Sequence, residues 1–244
     1  MHWIYLSPHL DDIAYSCGGL AWQQTQAGDT VEIWTICAGD LPEGPLSPLA
    51  QEHHTRWGVG REAVAIRREE DIHSNEIIGA AHRHLSVADA IYRLHPQTGL
   101  ALYTSSDSIF GKLDAAEDEL VNDLAQHLRV ALPADASVVV PLTVGNHVDH
   151  HLTLAVAHKL ERPLCYYADF PYVDKYPEQV DEKLPPDVEM QLHPLTPQAI
   201  QKWGDAIAAH ASQLSTFWPD ETSMRAAIQT YYLAYGGLRM WKNS

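Results

Sequence analysis

The sequence predicts an α/β protein built on an open, mostly parallel, doubly wound sheet of Rossmann-like type, with helices on both faces. Three observations lead there. His2 to Ser7 is a short apolar and aromatic run that reads as a buried strand. Ile13, Cys17, Leu20 and Ala21 then recur at helical spacing, and Val31 to Cys37 is a second apolar run. Strand, helix and strand in that space make a βαβ unit, whose crossover is right-handed and whose strands are parallel. Further on, Ser137 to Leu142 (Ser-Val-Val-Val-Pro-Leu) is the strongest strand pattern in the chain, and a helix carrying Val148, Leu152, Ala155 and Val156 follows it. Strands alternating with helices in this way favour a doubly wound sheet.

The remaining elements follow in order. Gly28 closes the first helix, residues 13–26, as a C-cap. Residues 38–55 hold Gly39, Pro42, Gly44, Pro45 and Pro48, which predicts a long loop of the kind that serves as a lid. A helix over roughly 56–79 ends near Gly79, His84 to Val87 predicts a short strand, and residues 88–113 read as irregular. Leu120, Leu124, Leu128 and Ala131 mark an amphipathic helix, and Leu164 to Phe170 a further strand. Residues 171–188, rich in proline and acidic residues, predict a loop. Ile200, Trp203, Ile207, Ala211 and Leu214 outline one more helix, and Met224, Ile228, Tyr231 and Tyr235 another. There is no internal repeat. Residues 1–244 are expected to form a single domain, with the part from about 171 appended as loops and helices.

Composition narrows the function classes. The formal net charge is −16, with no Lys/Arg cluster to hold a phosphate backbone or an anionic membrane. Neither a nucleic-acid nor a membrane partner is therefore expected. Cys17, Cys37 and Cys165 are too few and too scattered for a disulfide framework or a cysteine zinc site. Asp11 and Asp12 arrive before a signal h-region could form, and no apolar run approaches the ~18 residues of a membrane span. The expected location is cytoplasmic.

Two clusters carry the chemistry, and in open sheets of this class ligands lie beyond the carboxyl ends of the strands. The first, His9-Leu10-Asp11-Asp12, follows the first strand; the second, His147-Val148-Asp149-His150, follows the Val-Val-Val strand. His9 and Asp12 are i, i+3, within reach of one ion, and so are His147 and His150. Three N/O ligands from two strand ends would leave one position open for water, as a catalytic zinc needs. Taken singly, Asp11 or Asp12 could cap the helix, and His147 to His151 could be a solvated helix start. Both clusters at equivalent strand ends favour a metal site.

The run Ser7-Pro8-His9-Leu10-Asp11-Asp12, with Cys17-Gly18-Gly19 after it, resembles the PIG-L/LmbE-like deacetylases. Their hallmark is Pro-His-Pro-Asp-Asp, a Gly-Gly helix and a later His-x-Asp-His. Leu10 stands where the family usually has proline. Arg67-x-x-Glu70 before Gly79 is similar to the family's Arg-x-x-Glu helix, and His210-Ala211-Ser212-Gln213-Leu214 to its Tyr-x-Ser-Gln-Leu segment. The resemblance implies a zinc-dependent hydrolase that removes an N-acetyl group from an amino-sugar-like small molecule such as an N-acetylglucosamine derivative. It implies one Zn²⁺ per chain on His9, Asp12 and His150, with iron(II) or cobalt(II) as substitutes. Asp11 would be the general base for the attacking water. His147 would stabilise the oxyanion or protonate the leaving amine, with Asp149 orienting a histidine. Arg67 would contact substrate hydroxyls or a phosphate, an ion pair with Glu70 or Asp71 being its alternative. Related proteins often assemble as trimers or hexamers.

Some members place a tyrosine two residues before the first histidine of the second motif; here that position is Gly145. Trp57, Tyr166, Tyr167, Tyr172 and Tyr176 could stack on a sugar ring or pack in the core. A zinc amidase acting on another N-acyl compound, such as a thiol conjugate or antibiotic precursor, is the competing enzyme. A non-catalytic sugar-binding module is the competing class. No Gly-x-Gly-x-x-Gly follows the first strand, and no Gly-x-Ser-x-Gly elbow is present.

Overall fold

β1 (His2–Ser7), α1 (Asp12–Gln26) and β2 (Thr30–Thr35) form the expected βαβ unit in the computed structural model, which describes residues 1–243. β1 is buried from Trp3 to Ser7 because helices cover both faces of the sheet, and it pairs in parallel with β2 from His2 opposite Thr30. Gly28 follows α1 at φ 88, in the left-handed region that a helix C-terminus favours.

The single helix expected over 56–79 is two. α2 (Pro48–Trp57) starts inside the expected loop, because Pro48 sits in the first turn of a helix and Ser47 accepts a hydrogen bond from the Ala50 N–H. Gly58 at φ 67 ends it, and α3 (Ala63–Ile78) runs to Gly79 as expected. β3 (Ala81–His84) lies three residues earlier than the expected His84 to Val87; its parallel register with β2, Ala81 opposite Glu32, sets the position. Residues 88–113 hold a 3-10 turn at Ala90–Tyr92 and α4 (Ser106–Ile109). α5 (Asp118–Ala131), β4 (Ser137–Pro141), α6 (Val148–His158) and β5 (Leu164–Tyr167) complete the parallel half.

The stretch expected as a loop over 171–188 contains α7 (Tyr172–Lys175) and α8 (Gln179–Lys183). β6 (Val188–His193), α9 (Pro197–Ala208), α10 (Ala211–Leu214), α11 (Glu221–Tyr235) and β7 (Leu238–Asn243) follow. The helix expected across 200–214 breaks at His210, whose backbone leaves helical geometry at ψ 58. The sheet order is β3-β2-β1-β4-β5-β7-β6. The first five strands are parallel; β7 runs antiparallel to both β5 and β6. The residues after 171 therefore also contribute two strands to the sheet, beyond the expected loops and helices. β6 offers no apolar run to read, since four of its six residues are exposed and it is held by pairing with β7 alone.

α9 covers α1 closely. A Cβ added to Gly19 would sit 3.0 Å from the Ala199 carbonyl oxygen, so the Gly18-Gly19 pair lets two helix backbones approach. Among the described residues, no helix is long and apolar enough to cross a membrane.

Candidate active site

The chain leaves β1 toward β2 on one side and leaves β4 toward β5 on the other, although β1 and β4 are neighbours. This is the point where strand order reverses, and a crevice opens there beyond the carboxyl ends. From β1 the chain runs through His9, Leu10 and Asp11 into α1. From β4 it runs through a turn in which Thr143, Gly145 and Asn146 have φ of 68, 91 and 64. Positive φ at a β-branched threonine is strained backbone, and it persists only where surroundings enforce it. α8 does so: Lys183 Nζ donates to Asn146 Oδ1 at 2.7 Å and to Thr143 Oγ1 at 3.2 Å, and the Gly145 N–H donates to Gln179 Oε1 at 2.9 Å. The turn presents His147 at the start of α6.

Ligand atoms of His9, Asp12 and His150 all lie within 4.8 Å of one another. His9 Nδ1 is 3.1 Å from Asp12 Oδ2, and His150 Nε2 is 3.3 Å from Asp12 Oδ1. The far nitrogen of each ring meets another carboxylate: His9 Nε2 lies 2.9 Å from Asp149 Oδ2, and His150 Nδ1 lies 2.6 Å from Asp169 Oδ1. A carboxylate accepts from an N–H, so these partners place the protons on the far nitrogens and aim the other lone pairs at one point. Two imidazole nitrogens and one carboxylate oxygen fit a divalent metal with an open position. The electrostatics agree. Burial opposes a charge on His9, yet Asp12 and Asp149 raise its pKa well above the usual histidine range. Burial likewise opposes charge on His150, but Asp12 and Asp169 push it up to about 9. Asp12 is held well below its ordinary value, the two histidines outweighing burial. The site favours positive charge.

A second set, His9, His147 and Asp149, also lies within one ion's reach. Its carboxylate is already committed, however: Asp149 is ion-paired with Arg93 through Oδ1 and accepts from His9 Nε2 and the Ala90 N–H, both at 2.9 Å, through Oδ2. His147 Nδ1 accepts from the Asp149 backbone N–H at 3.2 Å, which caps α6 and leaves the proton on Nε2. Burial, reinforced by neighbouring His9, holds its pKa well below the ordinary value, so the ring is neutral. Asp149 thus contacts two histidines, His9 through its side chain and His147 through its backbone.

Asp11 occupies the N-cap position of α1, but its side chain makes no capping bond. It lines the cleft, 7% exposed, with Oδ1 3.4 Å from Arg67. Leu10, at the family's proline position, is buried and turned inward. Arg67 is buried too, and the alternative ion pair with Glu70 or Asp71 does not form. Its guanidinium lies 3.4 Å from both Asp11 and Asp89 and 5.1 Å from the Trp57 ring centre, and its Nε has no hydrogen-bond partner among the described residues. Glu70 instead accepts from the Ser212 N–H and Oγ–H, which joins the two weaker motifs.

Asp89, Arg93 and Asp169 escape the sequence reading. Asp169 stands just past the carboxyl end of β5, where the strand-end rule could have found it had the strand not been read through to Phe170. Asp89 and Arg93 come from an aperiodic stretch with no signal. Of the aromatic candidates, Tyr166 and Tyr167 are core residues of β5, whereas Trp57 and Tyr172 line the cleft.

The model of the family described as "PIG-L: GlcNAc-PI de-N-acetylase" matches residues 4–160. The chain is 30% identical over 177 residues to a 2'-N-acetylparomamine deacetylase of Streptomyces fradiae, a match covering 69% of this chain and 57% of that protein, less than two thirds of its length. A like-named protein of Niallia circulans is 25% identical over 72% of this chain and 69% of its own. Among solved structures, the zinc-inhibited form of teicoplanin deacetylase Orf2 superposes with a TM-score of 0.79 at 27% identity, covering 99% of this chain and 97% of that one. With the motifs of both clusters inside the matched residues, the chain belongs to the PIG-L family.

Proposed function

We propose that this protein is a metal-dependent N-deacetylase that hydrolyses the acetamide of an amino-sugar-like small molecule, with one zinc per chain held by His9, Asp12 and His150. The observation that carries this is the convergence of these three donors at the strand-order reversal, with Asp11 and neutral His147 on the same cleft wall. The family membership and the deacetylase relatives support it. We read residues 1–244 as one domain. The three cysteines are buried and unpaired, which supports a reducing, cytoplasmic setting.

When bound, zinc supplies a Lewis acid that polarises the carbonyl and acidifies water. Asp11, free of any capping bond, accepts the proton of the attacking water as the new C–O bond forms. The His147 Nε2–H faces the oxygen on which negative charge develops and hydrogen-bonds it. The C–N bond then breaks, and the proton taken by Asp11 goes to the departing nitrogen, giving acetate and a free amine. Asp149 and Asp169 hold the two ligand rings in orientation, and Arg67, which lines the cleft, contacts a substrate hydroxyl through its guanidinium.

Acetate release from N-acetylglucosamine, its glycosides and short chito-oligosaccharides, before and after chelation, tests the proposal. Chelator-sensitive acetate release is expected. Turnover of an N-acyl thiol conjugate with no acetate from any sugar would move the substrate class; turnover unaffected by chelation would overturn the metal role.

A further inference from the structure

The cavity at the metal centre is about 120 Å³, smaller than the ~300–1,000 Å³ in which whole small molecules are usually buried. It has room for the scissile amide and the atoms around it, so the rest of the substrate must lie beyond. Past a wall formed by Phe110, Tyr172 and Phe217, the cleft opens into a lobe of about 710 Å³, which shares that wall with the metal cavity. Another groove, under Arg93 and Leu102, shares no lining residue with the metal cavity.

We infer that this outer lobe binds the aglycone of a glycoside, an aromatic ring carrying a carboxylate, while the N-acetylated sugar reaches inward to the metal centre. The inference rests on the deacetylase reading above. Three features of the lobe point to this occupant.

The first is the aromatic wall. Phe110 is 42% exposed although its ring packs edge-on against His147 at 5.2 Å, which leaves a face open to a ligand. Tyr172 packs against Phe110 at 6.1 Å and against Phe217 at 5.5 Å. Gly145 makes this wall possible: a Cβ there would lie 2.8 Å from the Tyr172 ring, and its φ of 91 suits glycine. Tyr172 thus fills the space that a side chain at 145 would take.

Charge is the second feature. The chain carries −16 overall, yet among the described residues no aspartate or glutamate lines the lobe. Lys175 does line it, with Nζ 5.1 Å from the Tyr176 ring centre and no carboxylate partner among the described residues. As the one charged side chain among the described lining residues, Lys175 suits an anion better than a polyamine. The third feature is the floor, where Asn146 and Gln179 are polar and tied into α8. A long alkyl chain would take water from the Gln179 side-chain nitrogen, which donates to no group among the described residues.

The test uses zinc-loaded enzyme and four N-acetylglucosaminides with methyl, phenyl, 4-carboxyphenyl and 4-(aminomethyl)phenyl aglycones. kcat/KM is expected to rise roughly 2–10-fold from methyl to phenyl through stacking, and about 2–5-fold more with the carboxylate. The aminomethyl compound should be the poorest of the aryl glycosides. Lys175→Glu should invert the order of the two charged glycosides, and Phe110→Ala should erase the aryl advantage. Equal values for all four aglycones, or an order that Lys175→Glu leaves untouched, would overturn the inference. So would tighter binding of an N-octanoyl methyl glycoside that Phe110→Ala abolishes, since the lobe would then hold the acyl chain. If no glycoside releases acetate, the deacetylase reading fails on its own. Calorimetric binding of 4-carboxyphenyl and 4-(aminomethyl)phenyl glucosaminide to the wild-type and Lys175→Glu proteins then still decides what the lobe prefers.

Discussion

Ser212 donates both its backbone N–H and its hydroxyl to the Glu70 carboxylate, at 2.7 and 2.6 Å, across 142 residues of sequence. This clamp fastens α10 to α3, and α10 with the turn after it brings Gln213, Thr216 and Phe217 to the cleft wall. Glu70→Ala is expected to lower stability by about 1–3 kcal/mol, the usual range for losing hydrogen bonds to a charged group. KM should rise as the wall loosens. Ser212→Ala should cost less, because the backbone donor remains. Urea denaturation reads both, as a lower midpoint at unchanged slope.

The ligand set is tested by metal content. His9→Ala and His150→Ala should each lose zinc on dialysis. Asp149→Asn should retain a folded protein whose metal affinity falls about 10–100-fold, because the carboxylate that orients His9 is gone. A competition titration with a chromophoric chelator gives the affinity, and circular dichroism checks the fold. Unchanged affinity in Asp149→Asn would remove the orienting role.

Asp11 and Asp12 are adjacent but face different partners. Asp11→Asn should keep the metal and lose ~10²–10⁴ in kcat; Asp12→Asn should lose the metal. Elemental analysis beside single-turnover kinetics separates the two, and the reverse outcome would exchange their roles.

His147→Ala should keep zinc and lose ~10²–10³ in kcat, about 3–4 kcal/mol of transition-state stabilisation. His151→Ala should change little, since His151 lines a shallow groove with Leu113 and His158 on another face of α6. Zinc lost from His147→Ala but retained by His150→Ala would hand the metal to the alternative set.

Stability should fall on the acid side for a definable reason. His210 is 1% exposed, packs edge-on against Tyr15, and has no hydrogen-bond partner for Nε2 among the described residues. Burial lowers its pKa, as it does those of His54 and His193. In the unfolded chain a histidine titrates near ~6.5. The contribution of His210 is therefore fully present above that pH and is lost as pH falls below it, where only the unfolded state takes the proton. His210→Asn should show a shallower decline of the urea midpoint between about pH 6.5 and 5 than wild type, compared at equal zinc. Identical slopes would mean that His210 protonates in the fold.

What the sequence determines by itself is local. Where a strand pattern gives way to a helix pattern within a few residues, side chains at i, i+3 must converge, so His9 with Asp12 and the His147–His150 cluster are legible without coordinates. So are the βαβ unit and the left-handed glycines at 28 and 79. Local signals fail where one residue serves two purposes: Pro48 reads as loop yet starts a helix, because proline suits a first helical turn as well as a turn between elements. They fail again at β6, whose strand character comes from pairing at the sheet edge and not from an apolar run, and at β7, which is held between β5 and β6 although Arg239 and Lys242 interrupt its apolar residues. Tertiary structure alone decides which carboxylate meets which ring: Asp149 with His9, Asp169 with His150, and Arg67 with Asp11 and Asp89 instead of its own helix neighbours. The order of strands sets those pairings. Placing β1 beside β4 brings residues 140 positions apart to within 3 Å, and in a buried space each polar atom takes the partner that packing leaves within reach.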